Sequence, residues 1–339
     1  MRRYYLYTLL LILCFTSCKK EYIFDLSGGK PIIFSQELEV ETKAAVPSGP
    51  LSSINGSSFG VRAYIYDTKW ESEAAEAKPD VAWINKEIKC DEFGICSYEP
   101  LQRWISKKKY AFFGYFPYNI PEITLSNAET MGVPFFTYNL SDEAVGSANG
   151  WIGNQSKMYD VMFGSVIDAN EILNSSVEIP FKHALYSVKI VAENFGEQTV
   201  YIENLSIKLD LQYRGIKIPM DGGQVEPIPF GTKPQQVQFD YLKSEDTPIE
   251  VISTLNSSPV NVSENKYLLL VPQGGITGEA IVKTTDKKET QTIPLKFPNT
   301  ALTAGVQYVF DIQFVGEQLN LILIEGTQWD DNNSNIEFE

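Results

Sequence analysis

An all-β fold is predicted by three features of this 339-residue sequence. Short runs of bulky apolar residues recur with small or polar residues between them, turn residues separate the runs, and helical periodicity is scarce. Short strands at this spacing suggest β-sandwiches rather than βαβ units. The only modest helical stretch is Trp70 to Ala77.

The chain opens with Arg2 and Arg3, then an uncharged run from Tyr4 to Phe15. That is a positive n-region and an h-region of secretory length, shorter than the about 20 apolar residues that span a bilayer. One reading is an ordinary signal peptide that ends nearby and is discarded. The other is a lipoprotein signal over residues 1–17, because Phe15-Thr16-Ser17-Cys18 resembles a lipobox. In that motif a small residue precedes a cysteine whose sulfur takes diacylglycerol. One acyl chain holds only marginally, at about 0.8 kcal/mol per buried methylene, so a triacylated Cys18 would anchor the chain firmly. Residues 18–30 then form a polar tether.

The next segment, Pro31 to Lys43, alternates. Phe34, Leu38 and Val40 share one face; Ser35, Glu37, Glu39 and Glu41 share the other. This pattern predicts a half-buried leading strand with an acidic outer face, and Ala44 to Asn55 is a loop rich in Ser, Gly and Pro. A first strand joined to its domain through an open loop can be cut without unfolding the rest of that domain. An edge strand whose glutamates deter aggregation has the same pattern.

Further strands are expected at Phe59–Tyr66, Val177–Val191, Thr199–Leu211, Lys266–Val271 and Val306–Phe314. Turns are expected at Asp221-Gly222-Gly223, Gln273-Gly274-Gly275 and Pro298-Asn299. In Tyr110 to Tyr118, alternation sets Phe112 and Phe116 on one face with Gly114, which favours core packing over sugar stacking. The composition shift at Asp168 to Ser176 marks a boundary, giving domains at 31–172 and 173–339.

Composition narrows the function. Hydrophobic content of 43% and aromatic content of 12% argue for a packed globular chain. A formal net charge of −15 argues against nucleic acid as a partner. With Cys14 in the signal and Cys18 as anchor, Cys90 and Cys96 remain; their spacing fits a small disulfide loop or two free thiols, and without histidine it is a poor metal site. His183 is the sole histidine and sits in strand alternation, so it reads as structural. Ser263/Lys266 and Ser106/Lys109 fit a serine–lysine spacing but at strand edges or loops rather than a helix start. Asp330-Asp331-Asn332-Asn333 lacks the spaced ligands of a calcium loop. No catalytic set, metal site or cofactor is expected.

Several segments together resemble the fimbrillins of Bacteroidales, the major and minor fimbrial proteins and their Mfa-like relatives. They are the lipobox at Cys18, Glu41-Thr42-Lys43-Ala44, Phe59-Gly60-Val61, Tyr110 to Tyr118, Tyr159 to Gly164, Phe181-Lys182-His183-Ala184-Leu185 and Trp329 to Asn332. The resemblance implies two tandem transthyretin-like Greek-key β-sandwich domains in a subunit of type V-like surface fimbriae, with a role in adhesion. It implies an outer-membrane lipoprotein precursor whose first strand is removed by a trypsin-like protease, here at Lys43-Ala44. Other fimbrillin subunits would be the partners, a strand of one filling the groove of the next. Gln318–Glu325 and Asn335–Glu339 are the donor candidates. The competing expectation is a monomeric outer-membrane lipoprotein that binds glycan through aromatics such as Tyr115 and Tyr118.

Overall fold

The computed structural model describes residues 29–35, 56–70, 79–127, 133–146, 151–174, 176–253, 258–263, 267–285, 287, 289–299, 302–316 and 318–328. Cys18, Lys43, Ala44, the helical stretch beyond Trp70, the Asp330–Asn333 turn and the Asn335–Glu339 segment lie outside them.

The described chain is nearly all β. Its strands are β1 (Ser58–Tyr66), β2 (Asp80–Cys90), β3 (Cys96–Ser97), β4 (Lys109–Phe116), β5 (Ile123–Leu125), β6 (Phe135–Asn139), β7 (Ile152–Gly153), β8 (Met162–Ala169), β9 (Lys182–His183), β10 (Tyr186–Asn194) and β11 (Val200–Leu211). They continue as β12 (Tyr213–Pro219), β13 (Glu226–Pro229), β14 (Gln235–Leu242), β15 (Ile249–Val251), β16 (Val260–Asn261), β17 (Leu268–Leu270), β18 (Thr277–Thr284), β19 (Gln291–Lys296), β20 (Val306–Val315) and β21 (Gln318–Gln328). A short helix α1 (Asp142–Val145) is capped by Ser141, whose side chain accepts from the Ala144 amide.

Four sheets result. The first runs β3-β2-β1-β4-β8-β9; the second is β16-β10-β20-β21, with β17 also on β10; the third is β19-β18-β11-β14-β7, with β15 on β11; the fourth is β13-β12-β6-β5. Most pairs are antiparallel, but β10 pairs β20 in parallel over eight registers.

Two apolar clusters lie between these layers, and the first sheet is buried on both faces. Phe59, Val61, Ala63 and Ile65 of β1, with Tyr110, Phe112 and Phe116 of β4, enter the smaller cluster. Tyr64 and Tyr66, with Ala111, Phe113 and Tyr115, enter the larger one. Burial on both sides explains why these strands read as near-continuous apolar runs rather than a clean alternation.

Strand pairing crosses residue 172, the boundary expected from composition. β6 pairs β12 and β7 pairs β14, so residues before 172 help build the sheets of the second half. The larger cluster likewise joins Phe136 and Tyr138 to Ile216 and Phe239. The single strand expected at Val177–Val191 is instead divided. Val177 makes an isolated bridge, β9 stays on β8 of the first sheet, and β10 begins the second. Pro180 has no amide for a continuous ladder, and the chain changes sheets at Ala184-Leu185.

Close approach fixes one part of this layout. Gly114 and Gly164 face each other across β4 and β8, and the segment Ile179–Phe181 closes onto them. A Cβ at Gly164 would lie 2.5 Å from the Pro180 carbonyl oxygen and 2.9 Å from Ile179 Cγ2. Backbone cannot yield there as a flexible side chain would. Gly164→Ala is therefore expected to lower the urea midpoint, at a cost of about 1–3 kcal/mol. Gly231→Ala, where a Cβ meets nothing, should leave the midpoint within error.

Candidate functional site

The first sheet has strands on only one side of the smaller cluster. The other side is closed by three pieces of irregular chain: the leading segment 29–35, the strap 98–104, and Val177 with Ile179. Alternation places Ile32 and Phe34 inside, each 1% exposed, while Ile33 is 47% exposed. Phe34 meets Phe59, Trp83, Tyr98 and Phe112, with ring centroids 5.5–6.3 Å apart. The inward face expected for Phe34 is the one observed.

Main-chain bonds hold the segment from both sides. The Ile32 amide donates to the Gln102 carbonyl at 2.9 Å, and the Trp104 amide donates to that of Lys30 at 3.0 Å. Opposite, the Ser35 amide donates to the Val177 carbonyl at 3.2 Å and the Val177 amide to that of Ile33 at 2.7 Å. Isolated bridges join Pro31 to Arg103, Ser35 to Ile95 and, in parallel, Phe34 to Val177. The described part of the leading segment is thus inserted between two chains by bridges at its ends rather than by one continuous ladder. Tyr98 fills the gap: its hydroxyl donates to the Ile32 carbonyl at 2.8 Å. Burial pushes that phenol up to about 12, so it remains a donor across the neutral range.

Next to the gap, Cys90 and Cys96 are joined as a disulfide. Asp91 organises the ring, its Oδ1 accepting from the Phe93 and Ile95 amides at 2.9 Å each. A cavity of about 500 Å³ opens here, lined by Ile32 and Ile33 on one side and residues 96–101 on the other. Leu101 in its lining is exposed, as are Phe93 and Ile95 within the disulfide ring.

The remaining sequence candidates fall elsewhere. His183 Nδ1 lies 2.9 Å from Asp160 Oδ1, and Asp160 is fully buried. The pair joins the entry to β8 with β9, a structural placement. Ser263 is buried with its hydroxyl bound to both the amide and the carbonyl of Ile190, so it is not poised for attack; Lys266 lies outside the described residues. Ser106 is exposed in a turn, and Lys109 lies 3.7 Å from Asp168. Tyr115 is 2% exposed and donates to Asn85 Oδ1, so its ring is not available to stack on a sugar. Among the described residues no group of three or more metal-ligating side chains converges. The donor candidate Gln318–Glu325 is the first part of β21, paired with β20 from Gln318 onward, with Leu319, Leu321 and Leu323 packed on the larger cluster. To leave, it would have to dismantle its own sheet.

Sequence reasoning did not single out the acid pair Glu193–Asp311. The two sit on neighbouring strands, two positions apart in register, since Val191 pairs Asp311 and Glu193 pairs Gln313. Burial raises Asp311 above the usual carboxylate range, while hydrogen bonds from Gln313 and Glu193 oppose the rise. Burial, then the Asp311 charge, raises Glu193. Both folded values exceed the unfolded ones, so the folded chain holds protons more tightly. Their favourable contribution is complete below the ordinary carboxylate range, about pH 4, and is lost as pH rises through the shifted values. Asp311→Asn is expected to raise the melting temperature at neutral pH, with the gain shrinking as pH falls through that window. Thermal scans of both chains between pH 4 and 8 check this.

No protein-family model matches the sequence, and no curated protein matches it either. Among solved structures, the chain is similar to a fimbrial protein from Bacteroides vulgatus, with a TM-score of 0.62 and 19% identity over 88% of this chain and 99% of that one. It is also similar to a candidate cell adhesion protein from Bacteroides ovatus, at 0.55 and 16% identity over 89% of this chain and 99% of that one. A third, from Bacteroides uniformis, gives 0.52 and 14% identity over 90% of this chain and all of that one. At such identities the likeness establishes a shared fold.

Proposed function

We propose that this chain is a fimbrillin-like lipoprotein of the outer membrane and cell surface, a structural subunit of fimbriae that serves adhesion and has no enzymatic role. Subunits join by strand exchange after a protease removes the leading segment. One observation carries the reading. The leading segment enters the smaller core from outside, buries Ile32 and Phe34 there, and is bonded through its main chain on both sides. Taking it away leaves unpaired backbone and an apolar trough. Full burial of two such side chains is worth about 1.5–3 kcal/mol each, so refilling the trough with an equivalent strand is strongly favoured.

The fold shared with a fimbrial protein and with candidate adhesion proteins supports this reading. So does the lipobox-like Cys18, which would hold the precursor at the membrane until cleavage at Lys43-Ala44. With β21 committed to its own sheet, the chain beyond Trp329 is the donor. Its Ile336 and Phe338 alternate with Glu337 and Glu339, the pattern that fits an apolar trough with a solvated rim.

The test is N-terminal sequencing of the surface form, with electrophoresis of cell extracts in SDS after mild heating. A mature start at Ala44 and a heat-labile ladder of multimers are expected. Fibre-bearing cells in which every copy starts at acylated Cys18 would remove the protein from the fibre shaft.

A further inference from the structure

We propose that the Cys90–Cys96 disulfide is a thiol-exchange site whose reduction loosens the seat of the leading segment. Little else holds β3 in place. It has two residues, and only two registers tie it to β2, Lys89 with Ser97 and Cys90 with Cys96. A pairing that short is marginal unless something else closes it. The disulfide supplies that closure, confining the ring of Asp91 to Ile95 that the reduced chain would sample more widely.

From β3 the chain runs directly into the strap. Tyr98 donates to the Ile32 carbonyl and packs on Phe34, Gln102 accepts from Ile32, and Trp104 donates to Lys30. Ile95, inside the ring itself, bridges Ser35. Every contact on one side of the leading segment therefore comes from a stretch whose upstream end is fastened by this bond. The opposite side, at Val177, does not depend on it.

Access fits the same assignment. Cys90 is 6% exposed, whereas Cys96 is only half-buried and lines the cavity beside Ile32 and Ile33. A small dithiol entering there attacks Cys96 Sγ, and the S–S bond breaks as a mixed disulfide forms. Cys90 leaves as thiolate and takes up a proton. The second thiol of the reagent then closes its own disulfide and releases the Cys96 thiol. Two electrons pass from the dithiol to the protein, and both cysteines end reduced.

The relevance to assembly rests on the proposed strand exchange; the exchange site does not. The full chain is treated with dithiothreitol under native conditions, alkylated with iodoacetamide to locate the thiols, and followed by hydrogen exchange. Labelling at both cysteines, with exchange at Ile32 and Trp104 faster by about tenfold or more and the β4 amides unchanged, is expected. The double variant Cys90→Ser/Cys96→Ser should show the same pattern without reductant; should it not fold, the reduction arm on the native chain still decides. Labelled thiols with unchanged exchange would overturn the inference. So would loss of protection through β4, which would make the bond a general staple, or failure of dithiothreitol to expose the thiols. If the expected exchange appears while surface cells never yield a multimer ladder, the strand-exchange function falls and this inference stands.

Discussion

Phe34→Ala is expected to remove about 3–5 kcal/mol of stability, the usual cost of deleting a fully buried phenylalanine. The ring is 1% exposed and is surrounded by Phe59, Trp83, Tyr98 and Phe112. Four aromatic walls cannot collapse into the hole without breaking their own contacts, so the cavity term stays near its full size. Ile33→Ala, one residue away on the exposed face, should change stability by no more than about 0.5 kcal/mol. Urea denaturation of the two variants reads the contrast. Because Phe34 enters from a segment tied to the core only at its flanks, its loss also weakens the seat locally. Hydrogen exchange at Ile32 and Val177 should accelerate by more than the global change in stability requires. A loss under about 1 kcal/mol for Phe34→Ala would mean that the leading segment rests on the core without completing it, and the strand-exchange reading would lose its support.

The inward face of that segment was legible because β-structure has a period of two, and Ile32 and Phe34 obey it. The all-β class was legible for the same reason, together with the turn residues between strands. The strap was not. Tyr98 to Trp104 carries a proline and several polar residues and pairs with nothing in regular fashion, yet it buries Tyr98 and Trp104. Its partner is the leading segment, more than sixty positions away in sequence, and no local pattern encodes such a contact. The partner of His183 was hidden likewise: Asp160 lies 23 positions upstream, beyond the reach of any local pattern. The boundary at 172 marked a real turn, where Asn170 Oδ1 caps the Ile172 and Leu173 amides. Composition there could not show that β6 and β7 had already crossed to the sheets of the second half.

The least legible residue of all is Arg62, and its replacement carries the second large effect. Charged side chains are rarely buried without a partner, yet Arg62 is 2% exposed in the middle of β1. Among the described residues it forms no ion pair. Its acceptors are neutral: Nε donates to the Ile84 carbonyl at 3.1 Å, Nη1 to Ser126 Oγ at 3.0 Å, and Nη2 to the Ser126 carbonyl at 2.8 Å. The reason lies in the register of β1 on β2. Val61 pairs Lys86 and Ala63 pairs Trp83, so Ile84 and Asn85 together oppose Arg62 in a bulge. The bulge takes the Ile84 carbonyl out of the ladder, and the guanidinium supplies the missing donor. The other end of the fork reaches Ser126, just beyond β5, and so ties the first sheet to the fourth. Arg62→Ala leaves two carbonyls without this donor, each costing about 1–3 kcal/mol, and a void besides. A total loss on the order of 3–5 kcal/mol is expected, comparable to breaking a buried ionic contact. Arg62→Met separates the causes, since it restores most of the volume but none of the donors. If the hydrogen bonds dominate, methionine should recover less than half of the loss in urea denaturation. A methionine chain as stable as the parent would show that desolvating the guanidinium cancels everything its hydrogen bonds contribute.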